Sequence, residues 1–179
     1  MHQEDRYVTL PPSTLEAKQP QAQKQMAGSP VRHHVHAIYG VYDGHGGDLA
    51  AEHARNHLHD CLLRSPAFAE GDYEAAMREA FLQEDALLNR TMQEQHVERG
   101  GCTAVLCLAD LSQGTLTVGN VGDSRAVLAV KQPDGRYMAR RITRDFKPTD
   151  PDERRRIETN GGEITEETGR IGNSFLFFL

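Results

Sequence analysis

The chain has 179 residues, a net charge of −6 and a hydrophobic fraction of 38%, which fits one globular domain with a core of its own. The acidic balance argues against a nucleic-acid-binding surface. The longest apolar run, residues 104–109, is far too short to span a bilayer, and the polar start Met1-His2-Gln3-Glu4-Asp5 lacks the features of a signal peptide.

Residues 7–10 form a strand candidate that Pro11-Pro12 stops. Residues 13–34 are poor in large apolar side chains, carry alternating glutamines and close on Gly28-Ser29-Pro30, so they are expected to be a flexible insertion. Residues 37–42 form a second strand whose near-continuous apolar character predicts burial on both faces. It runs into Asp43-Gly44-His45-Gly46-Gly47, where three glycines in five residues predict a tight turn rather than regular structure.

Helical spacing then recurs twice. Leu49, Ala50, His53, Ala54, His57, Leu58, Cys61 and Leu62 form one stripe, ended by Ser65-Pro66. Asp72 caps a second helix with the stripe Tyr73, Met77, Ala80, Phe81, Leu87, Leu88 and Thr91. Residues 102–108, 115–121 and 126–130 follow as strands joined by turn residues, predicting an antiparallel meander. A last helix is marked by Asp150, Pro151 and a capping-box Glu153, and it ends at Asn160-Gly161-Gly162.

The chemistry concentrates at the turn after the second strand. A carboxylate at a strand end, followed by glycines, can present its own oxygens and a main-chain carbonyl to one hard cation. Asp43 and Gly44 fit that description, and His45 on the same turn is a candidate proton donor. The competing reading is a plain turn leading into the helix. Glu4-Asp5 is a carboxylate pair that is ordinary solvated charge unless its strand lies beside that of Asp43. Asn120-Val121-Gly122-Asp123-Ser124-Arg125 joins two strands, either as a simple hairpin turn or as part of a site. A serine-nucleophile reading of Ser124 fails, because no glycines follow it to build an oxyanion pocket. His33, His34 and His36 border the flexible segment with no further ligand nearby in sequence, so they are taken as incidental. Cys61, Cys102 and Cys107 are widely spaced and form no C-x-x-C pair, which signals neither a zinc site nor a disulfide framework and suits a reducing, cytoplasmic or nuclear compartment.

Together these segments resemble a known family. Val41-Tyr42-Asp43-Gly44-His45-Gly46-Gly47, Gly101-Cys102-Thr103-Ala104, Asn120-Val121-Gly122-Asp123-Ser124-Arg125-Ala126 and Asp145-Phe146-Lys147-Pro148 are similar, in order and spacing, to the motif blocks of the type 2C metal-dependent serine/threonine protein phosphatases. Glu153, Arg156-Ile157 and Gly161-Gly162-Glu163-Ile164 continue the last block. Glu4-Asp5-Arg6-Tyr7 resembles the family's N-terminal Glu-Asp strand, with Gln3 in place of its usual Met.

The resemblance implies an α+β fold, here an incomplete four-layer α-β-β-α sandwich with antiparallel sheets, and a site holding two Mg2+ or Mn2+ ions with a third, weaker position. It implies that Asp43 bridges two metals, Gly44 offers its carbonyl, Glu4 ligates directly or through water, and Asp5 supports from behind. It places Asp123 at the weaker metal position and His45 as the acid for the leaving alcohol. The implied activity is hydrolysis of phosphoserine and phosphothreonine in protein substrates by a metal-activated water. The family's phosphate-binding arginine and two C-terminal aspartate motifs have no counterpart here, so residues 1–179 are expected to be a truncated part of the catalytic domain. The alternatives are a non-catalytic regulatory module built on the same motifs, and a metal-free α+β binding domain.

Overall fold

The structure, a computed structural model, describes residues 4–18, 34–97, 99–165 and 170–172. Its centre is a four-stranded antiparallel sheet in the order β1-β2-β3-β4, formed by Arg6–Leu10, His36–His45, Gly101–Asp110 and Thr115–Val121. The long β2–β3 pair sets the frame, running from His36 opposite Asp110 to His45 opposite Gly101.

Two helices cover one face. In α2 (Leu49–Arg64), Ala50, Ala51 and Ala54 are small enough to bring the helix close to the sheet, and Leu58 and Leu62 fill the space beyond them. In α4 (Tyr73–Glu94), Ala76, Met77, Ala80, Phe81, Leu88 and Met92 are buried. Asp72 caps α4 as expected, its carboxylate accepting from the Ala75 N–H at 3.0 Å. The short α3 (Pro66–Glu70) links them. Ser65 caps it, and Gly71 ends it with a φ of +83°.

No helix among the described residues covers the other face, and on β2 that face is exposed, which corrects the expected two-sided burial of the strand. Its residues alternate, with Ile38, Gly40 and Tyr42 buried toward the helices and Tyr39, Val41 and Asp43 exposed. The alternation places Asp43 on the open face, at the end of a rigid strand.

Three further expectations change. Residues 13–18 are not flexible. They belong to α1 (Pro12–Lys18), where Leu15 is buried in the core; residues 19–33 of the expected insertion lie outside the described residues. Asp43, Gly44 and His45 are still strand, paired with Thr103, Cys102 and Gly101, because only Gly46 and Gly47 adopt positive φ. The meander breaks after β4. Strand β5 (Val127–Lys131) pairs instead with β6 (Tyr137–Arg141), which the sequence reading missed, in a separate two-stranded ribbon. Gly122, at φ +79°, turns the chain out of the first sheet, so residues 120–125 are not a hairpin.

Helix α5 (Pro151–Thr159) starts and stops where expected, with Gly161 at φ +83°. Its capping box does not form. Glu153 turns inward and pairs with Arg156 at 2.5 Å, leaving Asp150 without a side-chain cap bond. Strands β7 (Glu163–Thr165) and β8 (Arg170–Gly172) make a further small ribbon.

Candidate metal centre

Carboxylates gather at one end of the open face. Strand β1 runs antiparallel to β2 with Arg6 opposite Tyr42, so Asp5 stands opposite Asp43 and Glu4 opposite Gly44. The Asp5 carboxyl lies within hydrogen-bond reach of Asp43, and Asp123 is close enough to act on it electrostatically. Burial first, then the charges of Asp5 and Asp123, push the Asp43 carboxyl above the usual carboxylate range, with His45 opposing. Two carboxyls in contact and a third nearby form an all-oxygen set whose donor chemistry fits a hard divalent cation.

Each strand is held in place by a visible cause. Arg6 anchors β1 to the start of α2, donating to Glu52 at 2.5 Å and to Asp48 at 3.2 Å. Gly44 lets β1 come close, because a Cβ there would lie 2.6 Å from the Glu4 carbonyl oxygen and 3.1 Å from the Ala51 Cβ. That imaginary Cβ also lies 3.2 Å from the Glu4 Cβ. Glu4 therefore leaves β1 on the helix side of the sheet, and Asp5, not Glu4, is the carboxyl that touches Asp43. His45 follows Asp43 with its ring over Gly101, where a Cβ would meet Cε1 and Nε2 at 3.2 Å.

The Asp123 loop is tied to the same place. Thr103, the β3 partner of Asp43, shares a 2.5 Å hydrogen bond between its Oγ1 and Ser124 Oγ. Gly122 packs on Thr103 so closely that a Cβ would sit 2.6 Å from its methyl carbon. From the other side, the Phe146 N–H donates to the Gly122 carbonyl at 2.9 Å, and the Asn120 amide donates to the Arg144 carbonyl at 2.7 Å. Arg125 forks onto both oxygens of Asp145, which Arg141 also contacts. These cations hold Asp145 down at about 2. Lys147 reaches Asp123 at 3.4 Å. Motif blocks far apart in sequence thus interlock around Asp43.

The family model described as Protein phosphatase 2C matches residues 17–176. The chain belongs to the protein phosphatase 2C family. A "Protein phosphatase 2C homolog 2" of Aspergillus fumigatus is 40% identical over 139 residues, covering 77% of this chain and 30% of that protein. A "Probable protein phosphatase 2C 2" of Paramecium tetraurelia is 34% identical over 148 residues, covering 77% of this chain and 46% of the relative. Among solved structures, serine-threonine phosphatase 2C from Toxoplasma gondii superposes with a TM-score of 0.69 at 26% identity, over 93% of this chain and 54% of that one. The chain therefore spans about a third to a half of these protein phosphatase 2C relatives. The likeness bears out the expected α+β fold with antiparallel sheets.

Two polar clusters outside this protein phosphatase 2C motif set escaped the sequence reading. Between α2 and α4, His53 Nδ1 meets the buried Glu84 at 2.6 Å, with the His57 ring 4.2 Å away and tilted by 34°. At the far end of β2, His34 Nδ1 meets Asp110 at 2.6 Å. The helical stripe of α4 concealed Glu84, since its spacing fits the core face but its charge does not. Asp110 was concealed by its separation from His34, 76 positions along the chain. No described helix is long and apolar enough to cross a membrane.

Proposed function

We propose that this chain forms one wall of a metal-dependent phosphoserine and phosphothreonine phosphatase site acting on phosphorylated proteins. The observation that carries the reading is the contact of Asp5 with Asp43 at one end of the sheet, with Asp123 close enough to act on Asp43 electrostatically, in a chain of the protein phosphatase 2C family. In this reading Asp43 and the Gly44 carbonyl are the primary ligands, Asp5 shares the cation or its water, and Glu4 reaches the site from the strand edge through water. Asp123 serves a further, weaker position, with Lys147 as its counter-ion until a cation arrives. Hard divalent cations, Mg2+ or Mn2+, supply the acidified water and the neutralisation of phosphoryl charge that the hydrolysis needs.

The chain's own residues do the rest. The β1–β2–β3 register fixes the spacing of the carboxylates before any ligand arrives, so little reorganisation accompanies binding. Burial and like charge make Asp43 a strong cation binder, because each neighbouring carboxylate raises its free energy when uncompensated. His45 holds a proton for the seryl or threonyl oxygen as the P–O bond breaks, giving the free alcohol and inorganic phosphate.

Phosphate release from a phosphothreonine peptide tests the reading. Release that requires millimolar Mn2+ and is lost in Asp43→Asn supports it. The second reading, a non-catalytic regulatory module, is favoured by the Lys147–Asp123 pair, which already satisfies one candidate ligand. Metal binding with no release under any condition would decide for that module.

A further inference from the structure

The geometry points to a second cation site, for a borderline transition ion such as Zn2+, built from His34, His36 and Asp110 at the end of the sheet opposite Asp43. The donor atoms His34 Nδ1, His36 Nε2 and Asp110 Oδ2 face one another. Asp110 Oδ2 lies 2.6 Å from His34 and 3.9 Å from His36, and all three donors fall within 4.8 Å of one another. A tetrahedral zinc ion with bonds of about 2.0–2.1 Å separates its ligands by about 3.3 Å, inside that range. The Tyr73 hydroxyl, now hydrogen-bonded to His36 Nε2 at 2.8 Å, or a water would fill the fourth position.

The donors are held by a frame as well as by the His34–Asp110 hydrogen bond. His34 and His36 flank Val35, so an extended backbone puts both rings on one side. Val35 is pinned at both ends of its peptide group: its N–H donates to Ser112 Oγ at 2.8 Å, and its carbonyl accepts from the Leu111 N–H at 2.8 Å. Asp110 is oriented by its own turn, where Oδ1 accepts from the N–H groups of Ser112 and Gln113 at 2.9 and 3.0 Å. That leaves Oδ2 aimed at the two imidazoles, the supported-carboxylate arrangement typical of metal ligands.

Burial fixes the geometry of the ring. The His36 side chain is 4% exposed, and its Nε2 faces Asp110 and Tyr73. His34, at 25% exposure, leaves a way in from solvent.

The donor set also sorts the two sites by ion. Two imidazoles and one carboxylate select Zn2+ and its neighbours, whereas the all-oxygen set at Asp43 selects Mg2+ or Mn2+. The sites stand about 23 Å apart along β2, seven residues at a strand's rise. The ion would clamp the start of β2 to the end of β3 and to the start of α4.

Zn2+ titration of the chain in millimolar Mg2+, against a chromophoric chelator, tests the assignment. One equivalent should bind, with affinity unchanged in Asp43→Asn and reduced at least tenfold in His34→Ala and Asp110→Asn. Co2+ in place of Zn2+ should give the intense visible absorption of a four-coordinate ion, lost in His34→Ala. His34 is the most exposed of the three, so its variant keeps the core, as circular dichroism would check. Equal affinity in wild type and His34→Ala overturns the assignment. So does binding that instead disappears in His57→Ala, which would place the ion between α2 and α4.

Discussion

Asp5 and Asp43 are cross-strand neighbours on the open face of the sheet, their carboxyls in contact. Without a cation this contact is a liability. Asp43 titrates above the usual range, so its contribution to stability is complete below the unfolded carboxylate pKa and is lost as pH rises through the folded value. At pH 7 in EDTA, Asp43→Asn should raise the urea midpoint. A lower midpoint would mean that the carboxylates are held by something other than mutual tolerance.

Glycine positions separate packing from site geometry. Gly44→Ala sets a methyl 2.6 Å from the Glu4 carbonyl, and Gly119→Ala sets one 2.6 Å from the Phe81 ring. Each should cost about 1–3 kcal/mol through overpacking, measured by urea unfolding. Only Gly44→Ala moves β1, so it alone should weaken Mn2+ binding. Equal loss of Mn2+ affinity in both would show that the site responds to global stability.

Glu84 should give the opposite pH signature to a surface carboxylate. Burial outweighs its bond to His53 and raises its pKa, so its contribution is present below about pH 4.3 and declines as pH rises through the folded value. Replacing it with Gln should flatten the dependence of Tm on pH from 4 to 8 and leave the variant relatively more stable at the alkaline end. An unchanged slope would contradict the buried placement of this side chain.

Asp145 works the other way. Held at about 2 by Arg125, against the opposing effect of burial, with Arg141 assisting, it contributes stability above the unfolded carboxylate pKa and loses it as pH falls toward 2. Asp145→Asn should flatten the acid limb of the Tm profile. If Asp145 and Arg125 also tether the Asp123 loop, the same variant should weaken the second class of Mn2+ sites, read by a titration carried to millimolar metal.

Much of this arrangement is legible in the sequence because local rules decide it. The alanine and leucine spacing of α2, the Asp72 cap and the glycine stop of α5 depend on neighbours within a few residues. Asp43, Gly44 and Asp123 stand out in the sequence by resemblance, and the fold brings Asp5 and Asp123 near Asp43. What escaped depends on distant partners. Asp43–His45 stays in the strand because Gly101–Thr103 pairs with it, a fact invisible in a glycine count. Strand β5 pairs outside the sheet, with β6, in a hairpin closed across Gln132–Arg136. The face on which Glu4 lies follows from the β1–β2 register alone. The histidines near residue 34 looked idle until β3 brought Asp110 to them.

Mn2+ binding, followed by loss of the free-ion electron paramagnetic resonance signal in wild type, Asp5→Asn and Asp43→Asn, decides whether this end of the sheet holds a cation. Asp43→Asn should abolish the site and Asp5→Asn weaken it about 10–100-fold, with Mn2+ at a hundred times its Kd raising wild-type stability by about 2.7 kcal/mol. Equal binding by wild type and Asp43→Asn would contradict this cation site and leave Asp43 as a structural residue at the end of a strand.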